Sequence, residues 1–411
     1  MMLIKEMKMP SCVSFDRYEL SEQICPNCNG HGLSVFYTVT NTPVHSCLLM
    51  SSKDEALNYP TASLQLGFCW RCGFVTNTKF DPKVHEYSSR YEETQGFSEC
   101  FNTFASSLAE RIIKKYGIYN KTILEIGCGK GQFLATMCRL GDNKGIGIDP
   151  AYVPDRNPAR DLQGVEFMQE FYSEKHADID ADVICCRHTL EHIEPTWKFL
   201  TMLRKTIGPR QKTLIFFEVP DVMCVLEEGR FWDIYYEHCT YFTAGSLAKL
   251  FRATGFDIDD LYLDYDGQYI IVTAFATGGT SSPYLEEEKD MPHMLKAIEN
   301  FHDRCIYTIN YWQNMIGKDA HPAEKIVLWG SGSKAVAFLN TLEVKNQIDH
   351  VVDINPYRQG KYIPGTGQRI VSPEFLKEYQ PDKVIIMNPV YHGEIAEMIA
   401  DLNVTTELLT V

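Results

Sequence analysis

Between residues 101 and 276 the apolar positions change period again and again. Phe101, Phe104, Leu108, Ile112 and Ile113 recur at helical spacing. Short apolar runs then follow at residues 123–126, 145–148, 182–186 and 213–219, separated by helical patterns that start at Gly131 and span 196–204. Such alternation predicts a parallel sheet with helices on both faces. Residues 256–263 and 269–276 flank Asp266-Gly267, a turn signal that predicts an antiparallel edge hairpin. A Gly/Thr/Ser/Pro break at 278–283 and a polar helical stretch over 284–312 lead into a second alternation, at 326–329, 350–352, 383–387 and 407–411. The first 82 residues are rich in Cys, Asn, Thr and Gly and carry only short apolar runs, which suits a small domain held by a metal. The predicted fold class is α/β. A metal-held domain spans 1–82, a Rossmann-like domain 83–283, a helical connector 284–322 and a second Rossmann-like domain 323–411.

At 411 residues the chain exceeds one ordinary core, and 45% hydrophobic with 23% charged residues describes a globular protein. A formal charge of −15 disfavours partners bound by neutralising a long run of phosphates, so no nucleic acid is expected. No charged stretch followed by an apolar one opens the sequence, and no apolar run approaches the ~20 residues of a membrane span. The expectation is a cytoplasmic protein with no membrane partner, a monomer or a dimer. Fourteen cysteines then read as metal ligands where paired and as buried thiols where scattered, Cys185 and Cys186 being of the second kind.

Cys25 with Cys28, and Cys69 with Cys72, form two C-x-x-C knuckles. Each presents two sulfurs to one Zn²⁺, and Asn29-Gly30 and Gly73 let the chain turn sharply afterwards. Four thiolates close the coordination sphere, so the expected role is structural. A redox dithiol or four unrelated core cysteines explains the matched spacing less well. Cys12 and Cys47 have no such spacing and stay unassigned.

The run at 123–131 (ILEIGCGKG) is a strand ending in a glycine-spaced turn that opens a helix. Gly127, Gly129 and Gly131 permit tight turning and close approach of a ligand. A G-x-G-x-G turn alone also suits an NAD enzyme. Glu125, two residues before the first glycine, can hold the methionine end of a donor. Asp149, ending the next strand about 20 residues on, stands where a ribose diol is gripped. This order of acids and glycines looks like motifs I and II of class I methyltransferases.

Taken with the four cysteines, residues 91–98 (YEETQGFS), 191–193 (EHI), 235–238 (YYEH), 330–334 (GSGSK) and 360–366 (GKYIPGT) resemble the sugar C-methyltransferase family across essentially the whole chain. That resemblance implies S-adenosylmethionine as donor and a nucleotide-linked keto-deoxysugar as acceptor, converted to a branched sugar. It implies a donor site of Glu125, Gly127, Gly129, Gly131, Asp149, Pro150 and His188, and catalytic or acceptor contacts from Tyr91, His192, Tyr235, Glu237 and His238. His188 is itself a departure, since better-known branched-sugar enzymes carry Asn four residues before the helix histidine. The change fits an acceptor with a different substituent or a different carbon of attack.

Methylation of carbon needs a base beside a ketone and a donor to the enolate oxygen. His238 suits the first task, since an ordinary imidazole is mostly neutral near pH 7, and Tyr235 the second. Glu237 either orients the imidazole or binds a sugar hydroxyl. Tyr241 and Phe242 read as core. In the C-terminal part Gly330, Gly332, Ser333 and Lys334 form a second strand–turn–helix start, where N–H groups, helix dipole and ammonium can receive a phosphate. Asp353 ends the following strand. By the resemblance this is where the acceptor's nucleotide diphosphate docks.

Two other readings stay open. An enzyme of the same fold can methylate oxygen or nitrogen of a sugar or small metabolite with the same Tyr235 and His238. A zinc-ribbon RNA-binding protein with a degenerate donor domain fits the acidic charge and the intact Glu125, Gly127, Gly129 and Asp149 set poorly.

Overall fold

Of the chain, a computed structural model describes residues 9–15, 19–84, 88, 90–279, 282–317, 324–344 and 347–411. Residues 280 and 281 of the predicted break, and the predicted boundary at 322/323, lie outside the described residues.

Seven strands form the central sheet, in the order Val165–Met168, Lys144–Ile148, Thr122–Ile126, Val183–Arg187, Leu214–Pro220, Tyr269–Phe275 and Asp257–Asp264. Adjacent strands are parallel except around Tyr269–Phe275, which runs antiparallel to both neighbours. The predicted hairpin is therefore present, with its later strand inserted and its earlier strand at the edge. Tyr265, Asp266 and Gly267 turn it with φ of 52°, 56° and 74°. Val165–Met168 was not anticipated: as the opposite edge strand it buries little and carries no apolar run. Strand order reverses direction at Thr122–Ile126, and a crevice opens there at the carboxyl ends of the strands.

The C-terminal sheet repeats this plan with five parallel strands, ordered Arg369–Val371, Ile348–Val352, Ile326–Trp329, Lys383–Ile386 and Glu407–Thr410. Its own reversal falls at Ile326–Trp329. The helix Met291–Ile316 buries Met294, Ala297, Ile298, Phe301, Cys305, Ile309 and Trp312, a stripe at three- and four-residue steps.

The front of the chain holds more regular structure than its composition suggests. His31–Pro43 is a strand of 13 residues and Thr61–Cys69 one of 9, both rich in the β-branched and aromatic residues that favour pleated pairing. They belong to a six-stranded sheet whose last member, Thr240–Tyr241, comes from the loop after His238 and pairs antiparallel with Val75–Asn77. Packing follows the same interleaving. Tyr37 and Phe68 share one apolar cluster with Phe231, Phe301 and Phe338, while Cys25, Cys69 and Cys72 share another with the central sheet. Burying a phenylalanine side chain is worth roughly 1.5–3 kcal/mol, so this shared packing ties front, middle and back together. Among the described residues no helix is long and apolar enough to cross a membrane.

Candidate active site

The strand Thr122–Ile126 delivers its chain end to a turn in which Gly127, Gly129 and Gly131 have φ of 70°, 54° and 83°. Gly127 is held to glycine by space as well: a Cβ there would lie 2.0 Å from Thr189 Oγ1. Gly131 caps the helix Gln132–Gly141. Glu125 is buried and accepts from Leu134 N at 3.1 Å. Burial pushes its carboxyl up to about 8 against the pull of Arg187. One oxygen of Asp149 accepts from Gly129 N at 2.8 Å and the other from Ala151 N at 2.7 Å. Each oxygen keeps a lone pair for a ribose hydroxyl. Pro150 borders the same crevice.

Beside this turn lies a buried group of charges that the sequence did not announce. Arg187 donates from Nε to Glu218 at 2.6 Å and stacks on the Phe133 ring at 3.9 Å. His188, at φ 46°, places Nε2 2.9 Å from the other Glu218 oxygen and meets Tyr269 edge-on. Burial opposes charge on all three groups, yet their mutual attraction prevails. Glu218 is held down at about 2, and His188 is raised to about 9 by Glu218 and Glu191. His188 thus lines the crevice as a cation paired to Glu218.

Residues 233–238 form the opposite wall. The Tyr235 hydroxyl is 3.0 Å from His238 Nε2, and the His192 and His238 rings lie 4.9 Å apart. His192 Nδ1 donates to the Glu237 carbonyl at 2.9 Å. Burial, reinforced by His192, holds His238 well below the usual imidazole range, so it is neutral at pH 7. Glu237 does not orient the His238 imidazole. Its carboxylate instead meets His45 Nδ1 at 2.8 Å, accepts from the Ser46 hydroxyl and reaches the Ser333 hydroxyl at 3.2 Å. Burial would raise the Glu237 carboxyl, but His45, His192 and Ser46 together hold it well below the usual carboxylate range. Tyr91 packs 5.9 Å from the His45 ring, and its carbonyl accepts from Lys130 Nζ at 2.9 Å. Tyr241 and Phe242 are buried.

From the C-terminal sheet, Gly330 at φ 102° turns the chain out of Ile326–Trp329, and Gly332 caps the helix Ser333–Thr341. Asp353 accepts from Ser331 N at 2.9 Å, from the Ser331 hydroxyl at 2.5 Å and from Asn355 N at 2.8 Å. Lys334 is not alone at this turn: its Nζ is 2.6 Å from Asp233 Oδ1. One continuous cleft of about 700 Å³ joins Glu125 and Asp149 through Tyr235 and His238 to Gly330 and Lys334. Its seam is closed by Asn355, which donates to Glu92 at 2.9 Å, and by Arg358, which donates to the Glu92 carbonyl and to Ser331 O. His45, Arg187, Glu218, Asn355 and Arg358 carry no spacing signal, because only the fold brings them together.

Away from the cleft the four knuckle cysteines converge. Sγ of Cys25 is 3.7 Å from that of Cys72, and Sγ of Cys28 is 3.7 Å from that of Cys69. The knuckles are built alike: Cys25 N donates to Gly30 O and Asn29 N to Cys25 O, as Cys69 N does to Phe74 O and Gly73 N to Cys69 O. Asn29 at φ 55° and Gly73 at φ 81° make the two equivalent turns.

A family model described as a methyltransferase domain matches residues 101–261, and one described as a C-methyltransferase C-terminal domain matches residues 280–406. Over 375 residues the sequence is 24% identical to C-methyltransferase NovU of Streptomyces niveus, covering 85% of this chain and 86% of that protein. The chain is an S-adenosylmethionine-dependent methyltransferase. The methyltransferase is also 34% identical, over 83 residues, to ubiquinone biosynthesis O-methyltransferase of Salmonella enteritidis PT4, a stretch of 19% of this chain and 34% of that one. Among solved structures, the 1,6-didemethyltoxoflavin-N1-methyltransferase of Burkholderia thailandensis aligns with 44% of the methyltransferase and 81% of its own chain, at 19% identity and a TM-score of 0.34.

Proposed function

We propose that this methyltransferase places a methyl group on a carbon of a nucleotide-linked keto sugar. The observation that carries the reading is the single cleft running from the Glu125–Asp149 turn, past Tyr235 and His238, to the turn at 330–334. Its two ends suit two ligands and its middle holds a base. The donor end fits S-adenosylmethionine: a turn with three glycines, Asp149 with lone pairs for the ribose, and Glu125 beside it. When bound, the donor supplies an electrophilic methyl. At the other end, N–H groups of the capped helix and Lys334 suit a diphosphate.

Neutral His238 takes the proton from the carbon beside the ketone, and the electron pair left behind becomes the nucleophile. Tyr235 donates a hydrogen bond to the developing enolate oxygen, whose charge a preorganised donor stabilises. After transfer the proton rests on His238, next to Tyr235, and leaves to solvent.

Zinc at the four cysteines belongs to the same proposal. A tetrahedral site with Zn–S bonds of ~2.3 Å has S···S edges of about 3.8 Å, and the Cys25–Cys72 and Cys28–Cys69 sulfurs are each 3.7 Å apart. The set offers no vacancy, so the metal would hold the fold.

The test is incubation with methyl-labelled donor and a panel of nucleotide-linked keto sugars in deuterated water. The expected product carries the label on carbon, and unmethylated acceptor gains deuterium beside its ketone. Label on oxygen or nitrogen, without exchange, would replace this reading by heteroatom methylation.

A further inference from the structure

Glu237 joins three parts of the molecule. From the front of the chain come His45, at 2.8 Å, and Ser46; from the C-terminal helix start comes Ser333, at 3.2 Å. His45 and the Glu237 carboxylate are both buried, with side-chain exposures of 0% and 1%. The main chain of the same residue has a second task. Its carbonyl accepts from His192 Nδ1 at 2.9 Å, and a carbonyl cannot donate, so the His192 proton is fixed on Nδ1. The His192 ring held in this way lies 4.9 Å from that of His238.

We infer that His45 is a positioning residue of the acceptor site, acting through Glu237 to set the tautomer of His192 and the seat of His238. The inference deepens the proposed C-methylation, since His238 is the base in that reading, but its structural core needs no acceptor. The physical argument is one of cost. A carboxylate this deeply buried stays ionised only where donors satisfy its oxygens, and among the described residues His45 is the sole side chain bonded to Oε2, while Ser46 and Ser333 meet Oε1. With His45 removed, Glu237 must either take up a proton or swing toward water. Either change moves the main chain at 237, which carries the carbonyl that holds His192 and the peptide that begins His238. The front of the chain then contributes to the active site through a side chain as well as through folding.

The test uses the full chain with ¹⁵N-labelled histidine. In the parent protein His192 should show the Nδ1–H tautomer. His45→Leu should convert it to a mixture and shift the His238 signals. His45→Gln, which keeps an N–H donor toward Glu237, should retain most of the parental pattern. Glu237→Gln loosens the same contact from the other side and should reproduce the His45→Leu spectrum, so the inference stays testable if His45→Leu does not fold. Affinity for S-adenosylhomocysteine should change less than twofold in each variant. With an acceptor from the sugar panel, turnover in His45→Leu should drop about a hundred-fold, the effect of displacing a reacting group by an ångström. Unchanged His192 and His238 signals in folded His45→Leu overturn the inference. Failure of every sugar in the panel overturns the proposed acceptor and leaves the spectra to decide the role of His45.

Discussion

Asp149 and Asp353 stand in different sheets and make the same two contacts. One oxygen of each accepts from the N–H of the glycine turn that precedes it, Gly129 at 2.8 Å and Ser331 at 2.9 Å. The other accepts from the N–H two residues onward, Ala151 at 2.7 Å and Asn355 at 2.8 Å. Each acid thus pins the turn of the neighbouring strand. They differ at one atom: the Ser331 hydroxyl fills a further site on Asp353, where Gly129 has no side chain to offer Asp149. Asp149 is the better equipped of the two to receive a ligand hydroxyl, and Asp353 the better anchored.

Asp149→Ala should therefore weaken S-adenosylhomocysteine binding, measured by calorimetry, by roughly 1.5–3 kcal/mol for each charge-assisted hydrogen bond lost. Asp353→Ala should leave that affinity unchanged and raise the Michaelis constant of the acceptor. Equal effects of both variants on the donor would reject the division of labour.

Lys334→Ala should raise the acceptor Michaelis constant about ten-fold or more, the worth of one charged hydrogen bond, with donor affinity unaffected. Because Lys334 pairs with Asp233 at 2.6 Å, the variant also leaves a carboxylate facing the incoming phosphates. Adding Asp233→Asn should recover part of the loss. Loss of donor binding instead would place the turn at 330–334 in the donor machinery.

His238→Asn should lose about 10²–10⁴-fold in turnover while both ligands still bind, and deuterium exchange into the acceptor should cease. Since burial and His192 hold His238 well below the ordinary imidazole range, the acid limb of the parental rate should also fall below that range. Exchange persisting at the normal rate would move the base to His192, then Tyr91.

Stability should decline on the alkaline side. His188, raised in the fold from its ordinary 6.5 to about 9, favours folding fully below pH 6.5 and loses that contribution as pH climbs through about 9. Glu125, raised from 4.5 to about 8, acts in the same direction. Glu218, held down at about 2, loses its contribution only as pH falls from 4.5 toward 2. Chemical denaturation between pH 6 and 9 should show a slope that His188→Gln reduces, the full effect being on the order of a few kcal/mol.

Cys69→Ser should lower zinc content and the midpoint of thermal unfolding, because three thiolates leave the ion open and the 3.7 Å edges unsupported. Metal analysis of pure, active protein containing no zinc would dispose of the metal altogether.

Elements whose pattern is local were legible in the sequence. The central strand run, the Asp266-Gly267 hairpin and the paired knuckles each announce themselves within a dozen residues. Val165–Met168 escaped because this edge strand buries too little to need an apolar run, and Arg369–Val371 because three residues are too few to show a period. The turn at 127–131 and the Tyr235–His238 pair were visible as residue types in order. Their surroundings were not: Arg187 and Glu218 are 31 residues apart, and His45 and Glu237 are 192 apart. Glu237 shows the limit well. Adjacency to His238 suggested a partnership, but the chain direction at the loop turns the two side chains apart, and a residue from the front of the chain takes the carboxylate.

The pairing of Thr240–Tyr241 with Val75–Asn77 binds the front of the chain by main-chain hydrogen bonds two residues after His238. Sequence boundaries and units of inheritance then part company. Grafting residues 1–82 from a relative onto this chain would bring a foreign strand against the loop that carries His238, together with a foreign neighbour for Glu237. The front module and residues 233–241 should travel together in productive recombinants, and chimeras that separate them should fold around a strained loop at 233–241.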